Sequence, residues 1–401
     1  MPLKISDIEK DYTIEIALII LLLRYYFQTA TLEEVFDFVE GRKDQISWQK
    51  FKSLAAYHRI RPLVFKQLVK LDNIEPDLKK DLIEDIRHFT LTNFQLVYEA
   101  KRVIQLFQEQ GITAIPYKGP FLSKVFYGDY DSRESSDIDL LIQWDDLKRC
   151  INILQKEGYI AKIDFFKYYG DNTRYRENEY NMDFYENGIR KFHIELHWEI
   201  GNSNLHPLTG VYSILKQESD LIHPDGIKIS LTRASHAFAT LIHHAIKDTF
   251  GILRNISDLA TIFSTLTSGD ISELKLYLDQ TSFHRQASSA IQISNHFFAL
   301  NITAISVEKN IDLKLFNYLL LDSSYRSPLP KDIFYSIRKR LIFESDTRNK
   351  FQILTAAANP LLYPNLNDQV WLPLPQRLHW LYLILKPIRI IYQHTIGAIK
   401  K

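Results

Sequence analysis

Two aspartates one residue apart, Asp137 and Asp139, open the apolar run Ile138-Asp139-Leu140-Leu141-Ile142. Side chains on a strand alternate between its faces, so a strand over 137–142 would carry both carboxylates on one side and turn Ile138 and Leu140 to a core. Carboxylates held about 6–7 Å apart on a rigid strand repel one another unless something positive sits between them. Hard oxygen donors of this type suit Mg²⁺ or Mn²⁺. Upstream, Tyr117-Lys118-Gly119-Pro120 sets a cation and a glycine at the junction of a short strand, 112–117, and a helix with proline in its first turn. Downstream, Phe192, Ile194, Leu196, Trp198 and Ile200 alternate with His193, Glu195, His197 and Glu199. If the second strand lies beside the first, Glu195 adds a third carboxylate to the pair. Three carboxylates around two cations support in-line displacement at phosphorus. The same polar face allows a different site, a two-histidine, one-carboxylate iron or zinc centre from His193, Glu195 and His197.

The surrounding pattern must position these groups. Residues 1–95 read as helices, with Ser47-Trp48 as one start. A long helical pattern over 81–110 ends at Gly111, suited to a C′ position. A helix over 145–157 stops at Gly158, and 159–165 reads as a strand. Glu186-Asn187-Gly188 joins strands 180–185 and 189–200 as a hairpin. Helical periodicity returns at Thr232 and continues to about Phe298. The expected organisation is a helical region (1–95), a small α/β core (96–230), a second helical region (231–345) and a basic amphipathic tail (346–401).

Composition narrows the classes. Forty-nine basic residues against 48 acidic give a net charge of +1, which offers no general nucleic-acid-binding surface. Glycine is scarce at 13 residues, and neither a Rossmann nor a P-loop fingerprint is present. The single Cys150 excludes an intrachain disulfide and a cysteine zinc site, and the expected location is the reducing cytoplasm. The run 16–23 falls well short of the roughly 20 residues a membrane span needs and reads as a buried helix. The tail combines Trp380, Leu383, Ile384, Ile390 and Ile391 with Lys386, Arg389, Lys400 and Lys401. Such a segment suits docking on the protein body or weak contact with a membrane surface.

Lys118-Gly119, Tyr127, Arg133, Ser136-Asp137-Ile138-Asp139-Leu140-Leu141-Ile142 and Ile194-Glu195-Leu196-His197-Trp198 together resemble an uncharacterised nucleotidyltransferase-like family of bacteria within the polymerase-β-type nucleotidyltransferase superfamily. His243-His244, Leu253-Arg254-Asn255-Ile256-Ser257-Asp258-Leu259 and Leu385-Lys386-Pro387-Ile388-Arg389 are similar to its later segments. The resemblance implies an α+β fold, a small mixed sheet flanked by N- and C-terminal helical regions. It implies a Mg²⁺- or Mn²⁺-dependent enzyme, with NTP (ATP among the candidates) and an unidentified acceptor hydroxyl as its substrates. Asp137, Asp139 and Glu195 would hold metal, and Glu195 would help deprotonate the acceptor. Lys118, Gly119, Arg133 and Ser136 would hold nucleotide phosphates, with His197 and His243 lining the cleft. Arg254 and Asp258, four apart on a helix, suit an ion pair or a brace between the helical region and the core. Two departures stand out: Pro120 replaces the second Gly or Ser usual at this turn and removes a backbone N–H, and Glu replaces the superfamily's common third Asp. An alternative on the same scaffold is a catalytically weak nucleotide-binding or regulatory protein.

Overall fold

The chain folds, in a computed structural model, as a five-stranded mixed sheet set against a large helical body. Described are residues 2–170, 173, 177–199, 216, 220–222, 229–231, 233–247, 250–281, 284–303, 341, 350–351, 354 and 366–389. Five helices come first: α1 (Ile5–Asp11), α2 (Ile14–Tyr26), α3 (Leu32–Glu40), α4 (Trp48–Tyr57) and α5 (Arg61–Leu68). Their starts follow local chemistry. Thr13 accepts from the Ile16 amide at 3.3 Å, and Ser47 accepts from the Lys50 amide at 3.4 Å. Thr31 and Glu34 form a reciprocal capping box. Helix α2 is buried from Glu15 to Arg24, as its apolar run predicts. No helix among the described residues is long and apolar enough to cross a membrane.

Helix α6 (Pro76–Glu109) spans roughly 50 Å and serves two cores. Leu82 and Phe89 join the helical core, whereas Leu96, Val103, Ile104 and Phe107 pack on the sheet. It ends before Gly111, whose φ of +71° favours glycine. Then follow β1 (Ile115–Pro116), α7 (Gly119–Leu122) with a π-helical extension (Ser123–Tyr127), and β2 (Ile138–Leu141). Helix α8 (Leu147–Lys156), β3 (Ile160–Ala161), α9 (Phe165–Tyr169) and the hairpin of β4 (Glu179–Glu186) with β5 (Ile189–His197) complete the sheet region. The expected strand 159–165 shrinks to two residues because Asp164 caps α9, accepting from the Phe166 amide. At the hairpin turn Asn187 and Gly188 take φ of +51° and +78°, the left-handed geometry for which Asn-Gly is suited.

Strand order is β1-β2-β5-β4-β3, with β2 and β5 parallel and the other neighbours antiparallel. The α+β expectation is borne out. A second pair, β6 (Asp220–Ile222) and β7 (Ile229–Leu231), precedes α10 (Ala234–Lys247), α11 (Leu253–Thr265), α12 (Ser268–Thr281) and α13 (His284–Phe298). Helices α10 to α13 bury their apolar faces in one core with α1 to α5. The helical segments on either side of the sheet thus make one body.

The tail is described over 366–389, beginning with α14 (Leu366–Trp371); Ile390, Ile391, Lys400 and Lys401 lie outside the described residues. Asp368 is buried and pairs with Lys386 at 3.0 Å and Arg389 at 2.7 Å, while Trp380, Leu383, Ile384 and Ile388 stay exposed.

His58, fully buried after α4, seats the start of α11. Its Nδ1 accepts from the Leu253 amide at 3.4 Å, and its carbonyl accepts from the Arg254 amide at 3.2 Å. Burial pushes its imidazole down to about 3, from an ordinary 6.5. Between those values the unfolded chain takes up a proton that the folded one refuses. The stability is therefore complete above about pH 6.5 and drains as pH falls toward 3, by at most about 1.4 kcal/mol per pH unit. Urea unfolding at pH 7 and pH 5 checks this: His58→Gln should flatten the loss between the two, and an unchanged loss would refute it.

Candidate active site

Parallel pairing of β2 with β5 sets Asp139 opposite Glu195, with Ile138 against Ile194 and Leu140 against Leu196. The alternation of both strands then sends the apolar set into the sheet core and brings Asp139, His193, Glu195 and His197 onto the other face. His197 Nε2 lies 3.2 Å from Asp139 Oδ1 and 3.2 Å from Glu195 Oε2. One ligand atom each from Asp139, Glu195 and His197 falls within 4.8 Å of the others. Asp137, just before β2, is not in that group; it is half-buried, and its Oδ2 sits 3.5 Å from the Ser136 hydroxyl.

Lys118 enters from the β1–α7 turn. Its ammonium is 3.2 Å from Asp139 Oδ1 and 4.7 Å above the Tyr117 ring, which packs edge-on to His197. Gly119 takes φ of +68°, a conformation that L side chains rarely adopt. That turn lays the chain against β2: a Cβ on Gly119 would stand 3.6 Å from the Asp137 carbonyl.

The electrostatics of this cluster are decided by which neighbours overcome burial. For Asp139 burial opposes the charge, but Lys118 and the His197 hydrogen bond outweigh it and hold the carboxyl far below its usual range. Glu195, despite burial, is drawn down to about 2 by hydrogen bonds from His193 and His197. His197 is held up to about 9 by its bonds to Asp139 and Glu195, against its burial. Asp137 goes the other way, because burial and the charges of Asp139 and Glu195 raise it. The ammonium of Lys118 and a His197 imidazolium therefore supply the positive charge that these carboxylates call for.

The remaining sequence-derived candidates divide. Ser136 is exposed beside Asp137. Arg133 is 4 % exposed, and its Nε binds the Asp258 carboxylate at 2.9 and 3.1 Å. Asp258 also accepts from the Tyr127 hydroxyl at 2.7 Å. Of the two readings of Arg254 and Asp258, an ion pair or a brace, Asp258 serves as a brace, in a buried bridge from the sheet's loop to α11 in which Arg133 takes its carboxylate. His243 lies on α10, with its side chain outside the described residues. His244, its neighbour, is held well below the ordinary imidazole value by burial and by the cations Lys118, Arg254 and Arg133. Cys150 is buried and its thiol is pushed up to about 12, which removes it as a nucleophile.

One contributor was not anticipated. Asp183 on β4 holds His193 Nδ1 at 2.6 Å, leaving Nε2 for Glu195 Oε1 at 3.3 Å. This pairing depends on a bulge that shifts the hairpin register between Phe184 and Tyr185, so that Asp183 stands opposite His193.

Asp139 and Glu195 offer adjacent oxygens in a cluster that draws cations to itself, and Asp137 lies next to them. That donor set fits Mg²⁺ or Mn²⁺, and the imidazole of His197, once deprotonated, adds a donor that Mn²⁺ accepts more readily than Mg²⁺.

Residues 44–299, more than half of the chain, match the model of a family described as an uncharacterised nucleotidyltransferase, in agreement with the resemblance carried by Lys118-Gly119 and the Asp137–Asp139 segment. No curated protein matches the chain.

Lys118→Met removes one of the two internal cations. In metal-free protein the variant should melt several degrees lower than the parent, since the cost of an uncompensated buried carboxylate is of the order of 3–5 kcal/mol. Millimolar Mn²⁺ should then raise its melting temperature more than it raises the parent's. Equal shifts in the two proteins would contradict the compensation described.

Proposed function

Because the chain belongs to the uncharacterised nucleotidyltransferase family, we propose that it moves a nucleoside monophosphate from an NTP to an acceptor hydroxyl and releases pyrophosphate. The observation that carries this reading is the pairing of Asp139 with Glu195 across parallel strands, with Lys118 at 3.2 Å on the same carboxylate. Asp139, Glu195 and Asp137 are the residues that would hold divalent metal, with His197 at the edge of the set. When bound, such a cation lowers the pKa of the acceptor hydroxyl and neutralises charge on the triphosphate.

The chain's own groups account for the rest. The turn at Gly119 leaves its backbone free of a side chain, which suits close approach of a triphosphate. Lys118, beside the glycine turn, would offer its ammonium to the phosphates. Arg133 keeps its Nε on Asp258 and serves the site by fixing the loop that leads into β2; Ser136 at the mouth can donate its hydroxyl to a phosphate. Glu195 is the most solvent-accessible of the three paired groups, with its side chain 20 % exposed against 4 % for Asp139 and His197. It is thus suited to take the proton of an acceptor arriving from solvent. The acceptor oxygen bonds to the α-phosphorus, the bond from that phosphorus to the bridging oxygen breaks, and pyrophosphate leaves with the electron pair.

A second reading has one observation in its favour. Asp183 on His193 resembles the outer carboxylate that commonly orients a metal-bound histidine. A His193–Glu195–His197 iron or zinc site would use that arrangement but leaves the Lys118–Asp139 contact without a role.

Each labelled NTP incubated with the full chain and Mg²⁺ separates these. The expected result is Mg²⁺-dependent nucleotide binding that falls at least tenfold in Asp137→Ala/Asp139→Ala, with label transferred to acceptors supplied from a cell extract. Unchanged binding in the double variant would sink the proposed site. Stoichiometric iron or zinc in the isolated protein, lost in His197→Ala, would favour the second reading.

A further inference from the structure

Arg254 is a buried cation with no local explanation. It sits at the start of α11, 8 % exposed, and its Nε is sealed from solvent without a hydrogen-bond partner among the described residues. The carboxylate one turn on, Asp258, is already taken by Arg133 at 2.9 Å and by the Tyr127 hydroxyl at 2.7 Å. The charges that act on Arg254 are Arg133, Asp258, Arg59 and, from the site itself, Asp137. Its neighbour on α10, His244, feels Lys118, Arg133 and Asp139 together with Arg254. Arg133, in the loop that leads into β2, is bonded to Asp258 one turn from Arg254, so the start of α11 lies against that loop with the Arg254 Nε left without a partner among the described residues.

A guanidinium stripped of water and denied a carboxylate is costly, and truncating one partner of a buried pair shows how large that cost becomes. Five N–H donors in a planar fork match two oxygens of a phosphate better than any other common anion except a carboxylate. We infer that Arg254 is a binding residue for the β- and γ-phosphates of the NTP, closing the polyphosphate between α11 and the Lys118–Gly119 turn. This rests on the nucleotidyl-transfer reading and adds to it a contact from the helical body. The arrangement also gives that body a task. Arg133 and Asp258 tie α11 to the loop that leads into β2, and Arg254 stands one turn from that tie.

Titration of the full chain with Mg²⁺-tripolyphosphate, Mg²⁺-NTP and Mn²⁺ alone tests this, in parent, Arg254→Gln and Asp139→Asn proteins. Arg254→Gln should weaken both polyphosphate ligands at least tenfold and leave Mn²⁺ affinity unchanged. Its melting temperature without ligand should match or exceed the parent's, because an unpaired charge beside Arg133 is gone. Arg254→Lys, which keeps the charge and loses the fork, should fall between. Asp139→Asn should lose Mn²⁺ as well. Parent-like polyphosphate binding in Arg254→Gln overturns the inference while nucleotidyl transfer stands. A lowered melting temperature together with lost Mn²⁺ binding overturns it in favour of a structural arginine. A parent that binds Mn²⁺ but no NTP removes the nucleotidyl-transfer reading, and the inference with it.

Discussion

Asp139 and Glu195 face one another across two parallel strands, largely out of water, and carboxylates in that position cannot both stay charged without cations close by. Everything around them answers that constraint. Lys118 reaches in from the β1–α7 turn, and His197 bridges both carboxylates from the end of β5. His193, clamped by Asp183, supports Glu195 from the other side. Asp137, which has no direct cationic partner among the described residues, is pushed toward protonation. Such a cluster is held together by its own charge balance, and a divalent cation would change that balance more than any other ligand.

The scaffold that holds this face is anchored from the helical side. Asn93 on α6 donates to the carbonyls of Tyr130 and Arg133, at 2.7 and 2.8 Å, and Arg61 on α5 pairs with Glu134. Lys66 on α5 holds Asp131 at 2.7 Å. The loop leading into β2 is therefore tied to α5 and α6, and through Arg133 to Asp258 on α11. Breaking the last of these would leave a buried charge, a loss of about 3–5 kcal/mol. Because α1 to α5 and α10 to α13 share one core, the ties converge on a single helical body.

Much of this was legible in the sequence, and for reasons that can be stated. The period-two alternation in residues 192–198 announced which side chains share the polar face. Asn187-Gly188 announced the hairpin, and the positive φ required after Lys118 and at Gly111 favoured glycine at both places. What the pattern could not carry is neighbour choice. Nothing local says that β2 lies beside β5, and the Asp139–His197 contact follows only from that choice. Asp183 was missed because a simple two-residue turn would set it opposite Phe192, and the bulge moves it to His193. Arg254 and Asp258 have the spacing of a helical ion pair, yet Arg133, 125 residues before Asp258, takes the carboxylate. Long-range competition for one buried acceptor leaves no periodicity to read.

An acceptor would enter where the cluster is least buried, beside Glu195, while polyphosphate would lie between the glycine turn and α11. Both would require Asp139 and Glu195 to hold a divalent cation close to a nucleotide phosphate. Electron–nuclear double resonance on the protein with bound Mn²⁺ and NTP tests that most directly. A ³¹P hyperfine coupling to the Mn²⁺, lost in Glu195→Gln, is the result expected. Tight Mn²⁺ binding with no phosphorus coupling at saturating NTP would contradict it.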